Sequence, residues 1–262
     1  MFKILAILAA LSTEGNFIEM GGYAVQGGMI QISAPEGTEI TFDGEQVRGF
    51  GNFYYLALGR DAAPTSVLKV EYPDGDEEEY TINVEQRQYE TQRINRVSNA
   101  IVQPNPQNKE RMNREVINIT EARLNADYPC PTNRWLSFIK PADGIVTGWF
   151  GSQRVYNGVP AAPHSGVDFA GPIGAPAYAP EDGKVIFTDN FFATGNTMAI
   201  DHGCGVVSTF LHLSAFDKKV GDIVRKGEVV ARIGKTGLAT GPHLHWNVNI
   251  GQTRLDGLLL LR

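Results

Sequence analysis

The sequence has little cysteine and no excess of basic residues. Its 262 residues include two cysteines, Cys130 and Cys204, and neither belongs to a CxxC pair. This excludes a cysteine zinc site and a thioredoxin-like motif. The net charge of −6 gives no basic surface for nucleic acid and no attraction to anionic lipid. The two cysteines could form one disulfide or remain as two buried thiols.

Long hydrophobic runs are also missing. The unbroken apolar run at residues 4–11 follows Lys3 and precedes a small-x-small pattern at residues 10–12. A membrane-spanning helix needs about 20 residues, so we expect no integral membrane span. Residues 1–14 are instead typical of a secretory signal peptide, which predicts a periplasmic or secreted protein. A buried N-terminal strand or helix is the alternative interpretation.

Residues 15–88 have the pattern of a small β-sandwich. Short runs that alternate apolar and polar residues are separated by turn signals, of which Asp43-Gly44 is the strongest. The predicted strands cover residues 29–32, 38–42, 53–58, 66–72 and 79–84. The acidic run at residues 74–79 is interpreted as a solvated hairpin tip rather than a binding feature.

Residues 89–133 are predicted to form a linker that contains one helix. The two prolines within residues 102–106 break any helix there. Residues 108–126 have helix-forming composition, and Met112, Val116, Ile119 and, less regularly, Leu124 form an apolar stripe. We expect this stripe to pack across both domains or against the second one.

Residues 134–262 are predicted to form a second domain, an antiparallel β groove or barrel-like fold. Glycine is frequent, the apolar runs are short, and no convincing helix is present. The overall fold class is therefore all-β, with a linking helix. All five histidines lie between residues 164 and 245, so any histidine chemistry belongs to this part of the chain.

His243 and His245 are two residues apart in a strand-like segment. Side chains alternate between the faces of a strand, so both imidazoles should point the same way, where they could share a metal or a substrate. The alternative is a pair of surface histidines. His164 and Asp168 form a weaker signal, because a structural hydrogen bond would explain them equally well.

The remaining histidines suggest less when each is taken alone. His212 lies in an apolar strand, where a hydrogen-bonded core residue is common, and His202 lies in a turn with no expected role in chemistry. His164, Asp168 and His245 together, however, offer two imidazoles and a carboxylate. Three such ligands leave one tetrahedral position open, which is typical of a catalytic zinc site. His212 and His243 would then remain for proton transfer.

Residues 138–259 closely resemble the lysostaphin-type, or LytM-type, zinc endopeptidases. The matching segments occur in the expected order and include HSGVDF at 164–169, DHG at 201–203, HLS at 212–214, IGKTG at 233–237 and GPHLH at 241–245. The resemblance implies that His164, Asp168 and His245 bind zinc and that His212 and His243 are catalytic. It also implies that Arg154 contacts substrate. Many members have an acidic residue where this chain has Asn247, which should touch the surroundings of the site without being a ligand.

The resemblance implies hydrolysis of peptide cross-links in bacterial peptidoglycan. Residues 89–94 are similar to the linker of Gram-negative members, which favours a direct cross-link over a glycine bridge. Two other functions stay open: a catalytically silent wall-binding activator of an amidase, and a wall-anchoring protein whose N-terminal domain carries the function. The N-terminal domain could also inhibit the groove intramolecularly.

Overall fold

The computed structural model describes residues 16–95, 97–131 and 135–262. The predicted signal-like segment 1–14 and the predicted boundary at residues 133 and 134 lie outside the described residues. The described chain is mostly β-structure, as predicted. None of its helices is long and apolar enough to cross a bilayer.

Two antiparallel sheets form the N-terminal part and face each other. The seven strands are β1 (Glu19–Gly22), β2 (Met29–Ser33), β3 (Glu39–Phe42), β4 (Glu45–Gln46), β5 (Phe53–Ala57), β6 (Thr65–Glu71) and β7 (Glu77–Asn83). One sheet has the order β1-β2-β5 and the other β4-β3-β6-β7. Asp43 and Gly44 both have positive φ, 50° and 83°, as the predicted hairpin turn between β3 and β4 requires.

The linker contributes one strand and the helices. These are β8 (Thr91–Ile94), α1 (Asn99–Val102) and α2 (Pro106–Leu124). The side chain of Asn105 accepts a hydrogen bond from Asn108 N at 2.8 Å, which caps α2. The helix begins at a proline, where the missing N–H is tolerated.

The buried face of α2 differs from the predicted stripe. Ile119 is buried, but Val116 and Leu124 are 61% and 56% exposed, so their assignment to the packed face was wrong. The buried face includes Glu115 instead, whose carboxylate accepts hydrogen bonds from Phe192 N at 2.9 and 3.0 Å. A hydrogen-bonded carboxylate therefore replaces an apolar residue. The helix packs mainly on two later strands, Gly183–Phe191 and Gly195–Asp201.

An open sheet of eight strands dominates the C-terminal part. The strands and the short 3₁₀ helix of this part are β9 (Val146–Gly148), β10 (Gln153–Tyr156), β11 (Val159–Pro160), β12 (Val167–Ala170), β13 (Pro176–Tyr178), β14 (Gly183–Phe191), β15 (Gly195–Asp201), β16 (Val206–Leu213), β17 (Ala215–Phe216), β18 (Ile223–Val224), β19 (Val229–Arg232), β20 (His243–Ile250), β21 (Thr253–Leu255) and η1 (Gly257–Leu260). The large sheet has the order β18-β14-β15-β16-β20-β12-β9, and β21 pairs with β20. It does not close into a barrel within the described chain.

Two smaller sheets complete this part, and one of them includes the linker. β13, β19 and β17 form one sheet, while β11, β10 and β8 form the other. β8 pairs with β10 in parallel, so a strand from the linker extends the C-terminal part.

The two parts share apolar packing. In β2, Ile30 and Ile32 face the second N-terminal sheet, whereas Met29 belongs to the same buried cluster as Leu136 and Phe138. Cys130 and Cys204 form a disulfide, which decides between the two states that the sequence left open.

Candidate metal centre

Strand pairing brings two of the predicted ligands side by side. Asp168 in β12 lies directly opposite His245 in β20. On its other side Asp168 pairs with Gly148 in β9, where a Cβ atom would lie 2.1 Å from the Asp168 carboxylate. Glycine is therefore required at this position, because any side chain would displace the carboxylate.

His164 reaches the same point from the loop before β12. Its backbone N–H donates to Ser152 O and its carbonyl accepts from Gly151 N, each at 2.8 Å. Its Nε2 atom then lies 3.0 Å from both Asp168 Oδ1 and His245 Nδ1, while His245 Nδ1 lies 2.8 Å from Asp168 Oδ1. All three side chains are buried and could hold one metal ion.

Hydrogen bonds behind the imidazoles fix which nitrogens carry protons. His164 Nδ1 lies 2.9 Å from Trp149 O, and His245 Nε2 lies 2.9 Å from Asn247 Oδ1. These oxygens can only accept, so Nδ1 of His164 and Nε2 of His245 carry the hydrogens. The other nitrogen of each ring presents a lone pair toward Asp168.

The donor set fits a divalent cation. Two nitrogen lone pairs and a carboxylate oxygen lie about 3 Å apart with a shared centre, and such acceptors repel each other unless a positive charge lies between them. Two imidazoles and one carboxylate are typical zinc ligands, and three protein ligands leave one position open. The prediction that Asn247 touches the surroundings of the site is confirmed, since it orients His245.

Electrostatics keep the ligands in their binding forms. Burial alone would raise the pKa of the Asp168 carboxyl, but positive charge at the imidazoles of His164 and His245 holds that pKa well below its usual range. Burial lowers the pKa of His245, although Asp168 opposes this effect. Arg154 Nη2 donates to Asp168 Oδ2 at 3.0 Å, so the predicted substrate contact also anchors a candidate ligand.

His243 and His212 face the same groove as the ligands. Their ring centroids are 4.8 Å apart, and His243 Nε2 lies 3.7 Å from Asp168 Oδ1. His243 Nδ1 donates to Gly241 O and His212 Nδ1 to Thr236 O, which leaves both Nε2 atoms free to exchange a proton. Burial and the neighbouring histidines lower the pKa of His212 to about 4, so this ring is neutral at neutral pH.

The alternation of side chains between the two faces of a strand does not hold at His212. Strict alternation along β16 would place Leu211 on the face opposite to His212, yet Leu211 and His212 both line the groove. His212 has a positive φ of 63°, which breaks the two-residue period at the end of β16. Leu211 pairs with His245 across the sheet, so both residues belong to the site face.

His202 lies elsewhere and has a structural environment. It is 1% exposed, and its ring contacts Asp182 O at 2.9 Å and Ser208 Oγ at 2.8 Å. Its ring also packs edge-on against Phe138, with centroids 5.1 Å apart. That His202 has no role in chemistry stays a prediction.

The groove has a volume of about 530 Å³ and contains all six predicted site residues. Their roles stay predictions. No sequence pattern points to the carbonyl oxygens of Trp149 and Thr236, because any residue supplies such an atom. Ser165 was also missed as a contributor, although it lies inside the HSGVDF motif and its Oγ donates to Asn247 Oδ1 at 3.1 Å.

Comparison with known proteins identifies the family. Residues 162–257 match the model of Peptidase family M23. A crystal structure of a Pseudomonas aeruginosa protein assigned to peptidase M23 is 31% identical, covers 91% of this chain and 95% of that one, and has a TM-score of 0.68. The chain belongs to peptidase family M23. The predicted relationship to the lysostaphin-type enzymes is thereby confirmed.

Curated relatives of this M23 chain are named as peptidases of the DD type. The peptidoglycan DD-endopeptidase ShyB of Vibrio cholerae is 42% identical over 96 residues, which are 37% of this chain and 22% of that protein. The DD-carboxypeptidase/endopeptidase Mpg of Neisseria meningitidis is 44% identical over 87 residues, 33% of this chain and 20% of that protein. The matches thus span about a fifth of each curated relative's length.

Proposed function

We propose that this chain is a zinc-dependent endopeptidase that hydrolyses peptide cross-links of bacterial peptidoglycan. The observation that carries the proposal is the convergence of His164 Nε2, His245 Nδ1 and Asp168 Oδ1 within hydrogen-bonding distance of one another. Proton positions on both imidazoles leave lone pairs directed at a common centre. This arrangement favours a bound cation over a purely structural cluster.

The site residues fall into two groups, which are the metal ligands and the histidines that transfer protons. His164, Asp168 and His245 would hold zinc, which supplies polarisation of a carbonyl and activation of water when bound. One Nε2 of the His212 and His243 pair accepts the proton of the attacking water. The imidazolium formed in this way then returns that proton to the leaving amine, either directly or through the Nε2 atom of the other ring.

The substrate assignment rests on the names of relatives and on the groove. Both curated relatives described above are named for peptidase action on DD-type bonds. The groove is lined by residues from the linker and from four strands of the large sheet. A direct peptide cross-link of the Gram-negative type is the bond that we propose.

A periplasmic or secreted location is part of the proposal. Disulfides persist in oxidising compartments and are rare in the cytosol, and Cys130 is joined to Cys204. The signal-like sequence at residues 1–14 supports the same location, because its charged start and apolar run are typical of exported proteins.

Digestion of purified sacculi tests the proposal. The zinc-loaded protein should release peptide fragments whose new termini identify the cleaved bond, and a chelator should stop the release. His245→Ala should lose both zinc and turnover, whereas His243→Ala should lose turnover and keep most zinc. Protein that holds no zinc and releases nothing would instead support the silent amidase activator.

A further inference from the structure

One wall of the groove comes from the linker rather than from the region that matches the family. β8 pairs in parallel with β10, and Gln92 lies opposite Arg154 in this pairing. Gln92 and Ile94 line the groove together with Arg154, while the alternate residues Thr91 and Arg93 are exposed. The strand therefore presents one face to the site and the other to solvent.

The position of β8 is fixed by packing at its start. A Cβ atom on Gly151 would lie 2.1 Å from the ring of Tyr89, so this ring lies directly against the backbone. The guanidinium of Arg60 covers the same ring at 4.6 Å, and Arg60 Nε donates to Gly151 O at 2.7 Å. Because these contacts clamp the residues before β8, the wall is preorganised rather than loosely attached.

Gln92 has an acceptor that lacks a partner. Its Oε1 atom is buried and makes no hydrogen bond with any described residue. Leaving such a group unpaired is unfavourable, and buried polar atoms in native proteins are normally satisfied. An unsatisfied acceptor in the wall of a binding groove is suited to a donor on the ligand.

Apolar side chains also line the groove. Ile94 follows Gln92 on the same face of β8, and Met112 of α2 lines the same groove. Both side chains are half-buried. An amide acceptor in a groove that Ile94 and Met112 also line matches the chemistry of a peptide backbone N–H next to a small apolar side chain.

We propose that Gln92 is a specificity-determining residue that accepts a hydrogen bond from a backbone N–H of the substrate peptide. Ile94 and Met112 contact the apolar side chain beside that N–H. This inference rests on the proposed function, because it names the part of the linker that recognises the cross-linked peptide. The linker thereby belongs to the substrate-binding surface.

The test compares Gln92→Leu, which removes the acceptor, with Gln92→Glu, which retains one. Arg93→Leu is the matched control, because it changes the adjacent residue on the opposite face of β8. With cross-linked muropeptide dimers as substrate, Gln92→Leu should raise KM about tenfold and leave kcat within about twofold of wild type. Gln92→Glu should restore most of the loss, and Arg93→Leu should match wild type.

Binding without turnover gives a second readout. In a His243→Ala background, Gln92→Leu should raise the Kd for the dimers by about the same factor, with zinc content unchanged. The role of Gln92 would be overturned if Gln92→Leu had the same Kd and the same KM as wild type. It would also be overturned if Arg93→Leu lost as much affinity as Gln92→Leu. Wild type that binds dimers but leaves them uncut contradicts only the proposed function, whereas absent binding overturns both.

Discussion

Asn247 lies behind His245 and determines which nitrogen of that ring faces the metal site. Replacing it with leucine removes the acceptor for the Nε2 hydrogen, so the ring can rotate or change tautomer. Loss of such a supporting partner weakens metal binding by about 10- to 100-fold. Competition with a coloured chelator should measure a decrease of this size for Asn247→Leu.

The matched control for this prediction is Asn247→Asp. It keeps an acceptor oxygen and introduces the kind of residue that many relatives have at this position. We expect it to bind zinc at least as tightly as wild type. Equal zinc affinity of Asn247→Leu and wild type would show that the hydrogen bond does not position His245.

His202 predicts a pH-dependent contribution to stability. Burial lowers its pKa from 6.5 to about 4. Between these values the unfolded chain binds a proton that the folded chain excludes, so stability present above pH 6.5 is lost as the pH falls toward 4. The contribution lost between pH 7 and pH 5 is about 2 kcal/mol.

Urea titrations at several pH values measure this effect. His202→Asn lacks the titrating ring, so the difference in unfolding free energy between wild type and variant should shrink by about 2 kcal/mol from pH 7 to pH 5. A difference that stays constant over this range would mean that His202 titrates normally in the folded protein.

The face to which a side chain points can be predicted from sequence where a strand keeps its two-residue alternation. His243 and His245 face the same side because β20 is regular around them, and Asn247 continues that face. The same rule failed beside His212, because its positive φ depends on distant contacts with Thr194 and Thr236. Neither contact leaves a signal in the local sequence.

Among the elements, α2 is attached to the sheet through Glu115. Both carboxylate oxygens of this side chain share the N–H of Phe192, and Oε1 also accepts a hydrogen bond from Arg111 Nε at 2.6 Å. Glu115→Ala leaves the half-buried Phe192 N–H without its acceptor, which should cost about 1–3 kcal/mol of unfolding free energy. Faster hydrogen exchange at the Phe192 amide should accompany the loss.

The neighbouring Glu110→Ala variant is the control. Glu110 pairs with Arg114 on the exposed side of the helix, so its removal should change stability by less than about 0.5 kcal/mol. If both variants lose equal stability, helix propensity rather than the Phe192 contact explains the effect of Glu115.

The predicted helix existed, but its packed face could not be read from hydrophobicity alone. The stripe through Val116 assumed that only apolar residues are buried. A carboxylate can replace one of them when a backbone N–H is available, and the position of Phe192 is known only once β14 and β15 have formed. The linker strand β8 was not predicted either. It forms only by pairing with β10, which lies about 60 residues away in the chain.

For the molecule as a whole, shared packing predicts that both parts unfold together. Phe53 is buried in the cluster that includes Leu136 and Phe138, and its ring lies 5.4 Å from that of Trp135. Arg87 also pairs with Asp256 at 2.9 Å across the two parts. Calorimetry should therefore show one transition whose calorimetric and van't Hoff enthalpies agree.

Substitution within the shared cluster checks this expectation. Phe53→Ala should lower the midpoint of the single transition, with a cost of about 3–5 kcal/mol, while Phe17→Ala, at a side chain that is 62% exposed, should leave it nearly unchanged. Two separate transitions in wild type would show that the parts are energetically independent.

His245 and Asp168 are 77 residues apart in the chain and meet only when β12 pairs with β20. The unfolded chain lacks this three-ligand centre, so metal binding stabilises only the folded form. Metal scarcity should consequently shorten the lifetime of the protein in the cell, because a greater share of its molecules becomes accessible to degrading enzymes. Pulse-chase half-lives in zinc-depleted and zinc-replete cultures would differ for wild type but not for His245→Ala.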